Sequence, residues 1–219
     1  MLKGIIFDMD GTIVDSLPYH HKAWEVFFKE NKVENFSEKL KHYKGGGTLD
    51  LMTAVYGNKY SKQELKLMSD EKEIIFREIY KNHVQPIEGF NEIFKFIKSK
   101  KIKVGIASNA IRKNVEMILN ELKIYNRFDS IICGDEVKNG KPNPEMFNKT
   151  VSKFKLNKEQ CLIFEDSIEG IEGAINSGIK VIGIRSSSSN KILVNAGASF
   201  TVKNYVNINE RLKEIGLSF

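Results

Sequence analysis

Near its amino terminus the chain reads Gly4-Ile5-Ile6-Phe7-Asp8-Met9-Asp10-Gly11-Thr12-Ile13-Val14-Asp15-Ser16. The apolar residues 4–7 predict a buried strand, and the carboxylates of Asp8 and Asp10 follow where that strand ends. Carboxylates share a low-dielectric site only when a cation or a proton separates them, and Mg2+ is a cation that prefers such oxygen ligands. The stretch therefore predicts a chemical site at the carboxyl end of the first strand.

The composition favours a folded protein and argues against nucleic acid as its partner. The 219 residues are 41% hydrophobic, which suffices for one core domain that carries a smaller inserted one. The net charge is +6, but the lysines are scattered, so we expect no nucleic-acid partner and interpret the charge as solvated surface with some attraction for anionic metabolites. Cys133 and Cys161 stand outside any Cys-x-x-Cys pairing, which is typical of a reduced cytoplasmic protein.

No apolar run approaches the roughly 20 residues of a membrane helix, and the run before Asp8 is far shorter than the core of a signal peptide. We therefore expect a cytoplasmic protein without membrane contact, and we expect it to be a monomer.

Short β-branched runs recur along the chain, and each predicts a buried strand: 3–7, 102–107, 130–133, 160–164 and 180–184. Helical patterns lie between most of them, at 89–100, 113–122, 144–154 and 167–177. This alternation predicts an α/β fold, a doubly wound parallel sheet flanked by helices. We further expect an edge strand at 199–202 and a last helix at 208–215. The serine run 186–189 predicts a loop after the fifth strand.

Residues 8–101 separate the first two predicted strands, which is far more chain than a simple crossover needs. This segment carries helical patterns at 19–30, 37–43, 48–56 and 61–81 and no convincing strand. We therefore expect an all-helical cap domain over 17–85, inserted into an α/β core of residues 1–16 and 86–219. The linkers are predicted at Asp15–Pro18 and Val84–Pro86, where proline favours a boundary.

Taken from the residues alone, Asp8 is a candidate oxygen nucleophile and Asp10 a candidate proton donor and acceptor. The alternative is that Asp10 and Gly11 simply form a turn. Ser108 and Asn109 follow the second predicted strand, where a hydroxyl and backbone amides suit an oxyanion or cap a helix.

Two further elements carry charge. Lys141, between Gly140 and Pro142, places a cation in a short stiff segment, although a lone lysine is usually surface charge. Glu165 and Asp166 add two carboxylates at another strand end, where they alternatively cap the following helix.

Together these elements resemble the haloacid dehalogenase (HAD) superfamily of phosphatases and phosphotransferases, whose four motifs match in order: Asp8-x-Asp10-Gly11-Thr12, Ser108, Lys141-Pro142 and Glu165-Asp166. The match extends from residue 8 to about 185. The resemblance implies a HAD-like Rossmannoid core, and the cap after the first motif resembles the subgroup of β-phosphoglucomutase and sugar phosphatases.

This resemblance implies that Asp8 attacks phosphorus and becomes an aspartyl phosphate, while Asp10 protonates the leaving oxygen and then activates the acceptor. It also implies that Mg2+ is held by Asp8, the backbone carbonyl of Asp10 and Asp166, with Glu165 as a further or water-mediated ligand. Phosphoryl transfer depends on positioning and on positive charge around the transferred group, which a metal ion and a lysine supply.

The resemblance implies that Ser108 and Lys141 hold the non-bridging oxygens of that group, with Asn109 as a neighbouring substrate contact. In the cap, the predicted substrate contacts are His20, Lys44, Gly45 and Lys72. A solvent-facing position is the alternative for Lys72.

The cap decides which molecule accepts the phosphoryl group. β-Phosphoglucomutase has an arginine four residues after its cap lysine, whereas this chain reads Lys44-Gly45-Gly46-Gly47-Thr48 and lacks a bidentate grip for a second phosphate. We therefore expect a Mg2+-dependent phosphatase that hydrolyses a small phosphomonoester such as a sugar phosphate. A β-phosphoglucomutase-type phosphohexomutase is the alternative. A non-catalytic phosphometabolite-binding protein is a third reading, but it predicts loss of Asp8 or Asp10.

Overall fold

The computed structural model describes residues 1–33, 35, 36, 38 and 48–214. The contacts within the chain divide it into two compact units, Met1–Asp15 with Val84–Phe219 and Ser16–His83. As separately folding domains, the predicted ranges 1–16 with 86–219 and 17–85 stay a prediction. Within the described residues, no helix is long and apolar enough to span a bilayer.

The larger unit contains a parallel six-stranded sheet in the order β3-β2-β1-β4-β5-β6. Its strands are β1 Gly4–Phe7, β2 Lys103–Ser108, β3 Ser130–Cys133, β4 Cys161–Glu165, β5 Lys180–Ile184 and β6 Thr201–Val202. The described helices of the chain are α1 Leu17–Glu30, α2 Thr48–Tyr56, α3 Lys62–Tyr80, α4 Phe90–Ser99, α5 Arg112–Glu121, α6 Glu145–Phe154, α7 Ile168–Ser177, α8 Asn190–Asn195 and α9 Ile208–Glu214. The predicted doubly wound α/β fold is confirmed.

The central strands β1 and β4 are buried along their whole length, as expected for a parallel sheet covered on both faces. Ile6 joins a core cluster with Phe147 of α6. Its neighbour Phe7 instead packs against Phe90 of α4 and Tyr205, with ring centroids 5.5 and 6.1 Å away. Successive side chains of β1 therefore enter two different cores, one on each face of the sheet.

Two strands continue one residue beyond their predicted ends. Ser108 pairs with Cys133 of β3, and Glu165 pairs with Gly183 of β5. Because neighbouring strands offer hydrogen-bond partners at these positions, both polar residues are the last residues of their strands. The site residues are thus placed by the sheet itself.

The smaller unit is helical in its described part. Its core comprises Trp24, Phe27, Phe28, Leu51, Met52, Val55 and Leu65. A capping box between Ser61 and Glu64 begins α3. The division between the two units, at Asp15 and Ser16, lies within the predicted linker Asp15–Pro18, and its last two residues, Leu17 and Pro18, already belong to the first turn of α1, where proline needs no donor. The predicted helix at 37–43 lies outside the described residues.

Candidate active site

Asp8 lies at the carboxyl edge of the sheet, directly after β1. Its backbone N–H donates to the carbonyl of Phe164 at 3.0 Å, so the residue is still held by β4. The side chain is buried, and Lys141 Nζ lies 2.6 Å from its Oδ1 atom. The site therefore pairs the predicted nucleophile with the predicted lysine.

The turn after Asp8 is tight. The amides of Thr12, Ile13 and Val14 all donate to the carbonyl of Met9, at 3.2, 2.8 and 3.2 Å. Gly11 has a positive φ of 75°, and a Cβ at this position would overlap the Asp166 carboxylate. The turn that Asp10 and Gly11 predict is thus present, and it brings the first motif against the fourth.

Lys141 contacts a second carboxylate. Its ammonium group donates to Glu165 as well as to Asp8. Burial alone would lower the pKa of Lys141, but the two carboxylates reverse this effect and raise it. Lys141 therefore stays charged inside the protein, and the surface alternative for this lysine is wrong.

The loop that carries Lys141 is held at two points. The N–H of Lys141 donates to Oδ1 of Asn109 at 3.0 Å, so the Asn109 side chain contacts the lysine loop. Further along, the carboxylate of Glu145 accepts from the N–H groups of Lys138 and Asn139 at 3.1 Å. Glu145 opens α6, and its role was not predicted, although an acidic residue in a first helical turn is a recognisable signal.

Glu165 is enclosed by donors. Its Oε2 atom accepts from the N–H groups of Asp166 and Ser167 at 3.0 and 3.1 Å and from the Ser167 hydroxyl at 3.0 Å. Gly170 lies against it, and a Cβ at that position would overlap the carboxylate. The small residue thus lets α7 approach the site closely.

Asp166 completes the acidic cluster. One oxygen atom each from Asp8, Glu165 and Asp166 lie within 4.8 Å of one another, and all three residues are buried. The hydroxyl of Thr12 donates to Oδ1 of Asp166 at 3.3 Å. Burial raises the pKa of Asp166 to about 7, and the charge of Glu165 adds to the effect.

The pKa of Asp8 is raised well above its ordinary value, chiefly by burial and further by Glu165, Asp166 and Asp10, whereas Lys141 opposes the shift. The single positive charge of Lys141 therefore cannot neutralise all the negative charge of the cluster. Oxygen ligands in this density suit a hard divalent cation, so the residues fit a metal site.

The other predicted core residues lie at the same edge. Asp10 is half-buried beside this cluster, and its backbone forms an isolated β-bridge with Val14. Ser108 is buried at the end of β2, and its hydroxyl accepts from the N–H of Ala110 at 3.2 Å. Because Phe7 pairs with Ile106, Asp8 and Ser108 leave neighbouring strands at nearly the same level.

In the smaller unit, Lys72 Nζ lies 2.8 Å from Nδ1 of His20 and 3.0 Å from Oε1 of Glu73. The His20 ring stacks on Phe76 at a centroid distance of 3.7 Å. Lys72 is only 1% exposed, so the solvent-facing alternative for it is wrong.

Thr48 donates to Glu73 at 2.5 Å, so the residue at which the sequence departs from the expected mutase pattern is hydrogen-bonded to a carboxylate. Lys44 and Gly45 lie outside the described residues. Sequence reasoning missed Glu73 entirely, because an acidic residue on a charged helix carries no distinguishing signal.

Tyr205 was also missed. It is buried, and its hydroxyl donates to the carbonyl of Thr12 at 3.0 Å, which supports the turn after Asp8. A tyrosine far along the chain gives no signal of this contact, because the contact depends on the finished fold.

The sequence model of the haloacid dehalogenase-like hydrolase family matches residues 5–184, a range that includes all four motifs. The chain belongs to this family. The relatives of the HAD chain include several phosphatases by name. A phosphorylated carbohydrates phosphatase of Thermotoga maritima is 31% identical over 209 residues, which cover 92% of this chain and 94% of that protein. The fructose-1-phosphate phosphatase of Escherichia coli is 26% identical over 182 residues, covering 83% of this chain and 96% of that protein.

Among solved structures, the HAD chain is similar to β-phosphoglucomutase from Clostridium difficile. The TM-score is 0.82 at 26% identity, and the alignment covers 98% of this chain and 96% of that one. The resemblance that the four motifs predicted is therefore confirmed, and it extends to the β-phosphoglucomutase-like members.

Proposed function

We propose that this HAD protein is a Mg2+-dependent phosphatase that hydrolyses a small phosphomonoester, a sugar phosphate, through an aspartyl phosphate on Asp8. The observation that carries the proposal is the contact of Lys141 with Asp8 inside a cluster that also contains Glu165 and Asp166. The names of the Thermotoga maritima and Escherichia coli relatives support the same class of substrate.

In the first half-reaction an Asp8 carboxylate oxygen attacks the phosphorus while the bond to the ester oxygen breaks. Asp10 donates a proton to the leaving alcohol. In the second half-reaction Asp10 accepts a proton from a water molecule whose oxygen attacks the phosphorus. The bond between phosphorus and Asp8 then breaks, which regenerates the carboxylate and releases inorganic phosphate.

Lys141 has two tasks in this scheme. Its charge favours the ionised form of Asp8, which burial opposes, and its ammonium group would hold a non-bridging oxygen of the transferred group. We assign Ser108 a second contact to that group, since its hydroxyl lies at the end of the neighbouring strand.

Asp8, Asp166 and the backbone carbonyl of Asp10 would hold Mg2+, with Glu165 as a further or water-mediated ligand. When bound, Mg2+ supplies positive charge next to the transferred phosphoryl group. Glu165 already accepts hydrogen bonds from Lys141 and from the N–H groups of Asp166 and Ser167. We therefore propose that it lies at the edge of the metal site.

Water is the acceptor we favour. A mutase of the β-phosphoglucomutase type binds a second phosphate with an arginine in this part of the chain. Here Thr48 takes that position and hydrogen-bonds the carboxylate of Glu73, which also pairs with Lys72. A phosphohexomutase of the β-phosphoglucomutase type is the second candidate, because the fold of that enzyme matches almost the whole chain. His20, Lys44, Gly45 and Lys72 stay predicted substrate contacts.

The test is phosphate release from p-nitrophenyl phosphate and from a panel of sugar phosphates, with Mg2+ and with EDTA. We expect release only with Mg2+, and a loss of at least about 1,000-fold for Asp8→Asn, because that change removes the nucleophile. Release by Asp8→Asn at the wild-type rate would refute the assignment, and no release from any substrate would favour a binding protein.

A separate incubation distinguishes hydrolase from mutase. With β-glucose 1-phosphate and a trace of the 1,6-bisphosphate, we expect inorganic phosphate to form. Accumulation of glucose 6-phosphate would instead show that a sugar hydroxyl accepts the phosphoryl group from Asp8.

A further inference from the structure

Two serine hydroxyls after β5 reach across the carboxyl edge of the sheet. Ser186 donates to the backbone carbonyl of Gly11, which lies 175 positions away in the sequence. Ser187 donates to the backbone carbonyl of Asp166 at 2.8 Å. The serine run that the sequence marks only as a loop therefore joins the first and the fourth motif.

The contact of Ser186 fixes one side of the turn after Asp8. The N–H of Gly11 donates to the carbonyl of Val14 at 2.7 Å, and its carbonyl accepts from Ser186. Since a trans peptide is planar, an N–H that is held also sets the direction of the preceding carbonyl, here that of Asp10. Both peptide planes around Gly11 are thus held, and with them the direction of a carbonyl we assign to the metal.

The contact of Ser187 does the same for Asp166. The N–H of Asp166 donates to Oε2 of Glu165 at 3.0 Å, and its carbonyl accepts from Ser187. Because the peptide planes on both sides of Asp166 are fixed, the direction in which its side chain leaves the backbone is fixed as well. This matters because the Asp166 carboxylate lies close to those of Asp8 and Glu165, and like charges tend to drive such a loop apart.

We propose that Ser186 and Ser187 are positioning residues of the metal site, which hold the Gly11 and Asp166 backbone so that the ligand oxygens converge. This inference rests on the proposed function for the identity of the site. Ser186 acts through the backbone of the first motif. Ser187 acts on Asp166 both through its backbone carbonyl and through a hydrogen bond to its side chain, in the way that outer hydrogen bonds tune other metal sites.

The experiment uses Ser186→Ala, Ser187→Ala and the double variant of the full chain. Ser188→Ala is the control, because it removes the same hydroxyl from the next residue of the same loop. The first readout is Mn2+ affinity, titrated by electron paramagnetic resonance of the free ion with no substrate present. The second is the Mg2+ concentration that gives half-maximal phosphate release.

We expect Mn2+ affinity to fall about 10-fold or more in Ser187→Ala and in the double variant, with a smaller loss in Ser186→Ala. The Mg2+ requirement should rise in parallel, whereas Ser188→Ala should match the wild type in both readouts. Ser187→Thr keeps the hydroxyl and should recover most of the affinity. The unfolding temperature in EDTA serves to show that each variant is folded.

Two results would overturn the inference: folded alanine variants with wild-type Mn2+ affinity, or a wild-type protein that binds no Mn2+. A loss of unfolding temperature with unchanged affinity also counts against it, because it would show a purely structural role. If the wild type binds Mn2+ and the alanine variants do not, but no phosphomonoester is hydrolysed, the positioning role stands and the proposed function fails.

Discussion

Lys141 Nζ lies 2.6 Å from Oδ1 of Asp8, and the two side chains are only 3% and 9% exposed. The same ammonium group contacts Glu165. A cation fixed at this position favours the ionised form of the proposed nucleophile, and in the proposed reaction it would lie where charge develops during phosphoryl transfer. This pair therefore offers the sharpest test of the site.

We expect Lys141→Ala to lower kcat on the order of 100-fold or more, because the cation beside the transferred group is lost. The measurement is phosphate release at saturating Mg2+ and substrate. Lys138→Ala is the control, since Lys138 is an exposed lysine of the same loop. A Lys141→Ala enzyme within a few-fold of the control would show that the ammonium group does not serve the reaction.

The sheet and the order of the motifs could be predicted because the signals are local. Apolar runs mark β1 and β4, and polar residues follow them directly. The carboxyl ends of parallel strands meet at one edge, so a strand pattern alone brings Asp8 near Ser108 and Asp166. The expectations of a monomer in the cytoplasm that binds no nucleic acid stay predictions.

Other features of the site could not be predicted, because they depend on contacts between distant parts of the chain. Nothing local indicates that Lys141 also bonds to Glu165, or that Ser186 reaches Gly11. The burial of Lys72 is of the same kind: its helix is charged and allows a solvent-facing lysine, and only the folded unit encloses it.

Gly170 gives a second prediction, because its position reverses the usual effect of alanine. In a helix interior, glycine to alanine normally stabilises by about 1 kcal/mol. Here the new Cβ would overlap the Glu165 carboxylate, so Glu165 must shift and its bond to Lys141 must change. We expect Gly170→Ala to lower both the unfolding temperature and the rate of phosphate release.

Gly173→Ala is the control within the same helix, since its Cβ would meet Phe147 at 3.1 Å and requires only a small adjustment. We expect this variant to lose less stability and to keep its activity. A Gly170→Ala protein as stable and as active as Gly173→Ala would contradict the close approach of α7 to Glu165.

Asp166 gives a prediction on pH. Burial, together with Glu165, raises the pKa of Asp166 from its ordinary value of 3.8 to about 7. Between these values the folded protein keeps a proton that the unfolded chain has lost, so the free energy of unfolding falls as the pH rises. In EDTA, Asp166→Asn should therefore gain stability over the wild type at pH 8 and lose that advantage towards pH 4.

Urea unfolding of both proteins in EDTA at the two pH values measures this effect. Asp15→Asn, a change at an exposed carboxylate, is the control and should show no such dependence. A difference between wild type and Asp166→Asn that is the same at both pH values would rule out the raised pKa.

The last prediction concerns α3, which carries two lysines with acidic partners in opposite surroundings. Lys72 and Glu73 are 1% and 5% exposed with a separation of 3.0 Å, whereas Lys66 and Asp70 are 55% and 46% exposed. Removing one partner of a buried pair leaves a charge without its counterion in a medium of low dielectric. An exposed pair is screened by water, and its loss changes little.

We expect Lys72→Met to lower the free energy of unfolding by about 3 kcal/mol, and Lys66→Met to change it by less than about 1 kcal/mol. Methionine keeps most of the length of the lysine stem in both variants, so the comparison isolates the charge. Urea unfolding followed by circular dichroism provides the measurement. Equal effects of the two substitutions would mean that Lys72 is not enclosed with Glu73, and the argument from the Lys72–Glu73–Thr48 contacts against a second phosphate grip would fail with it.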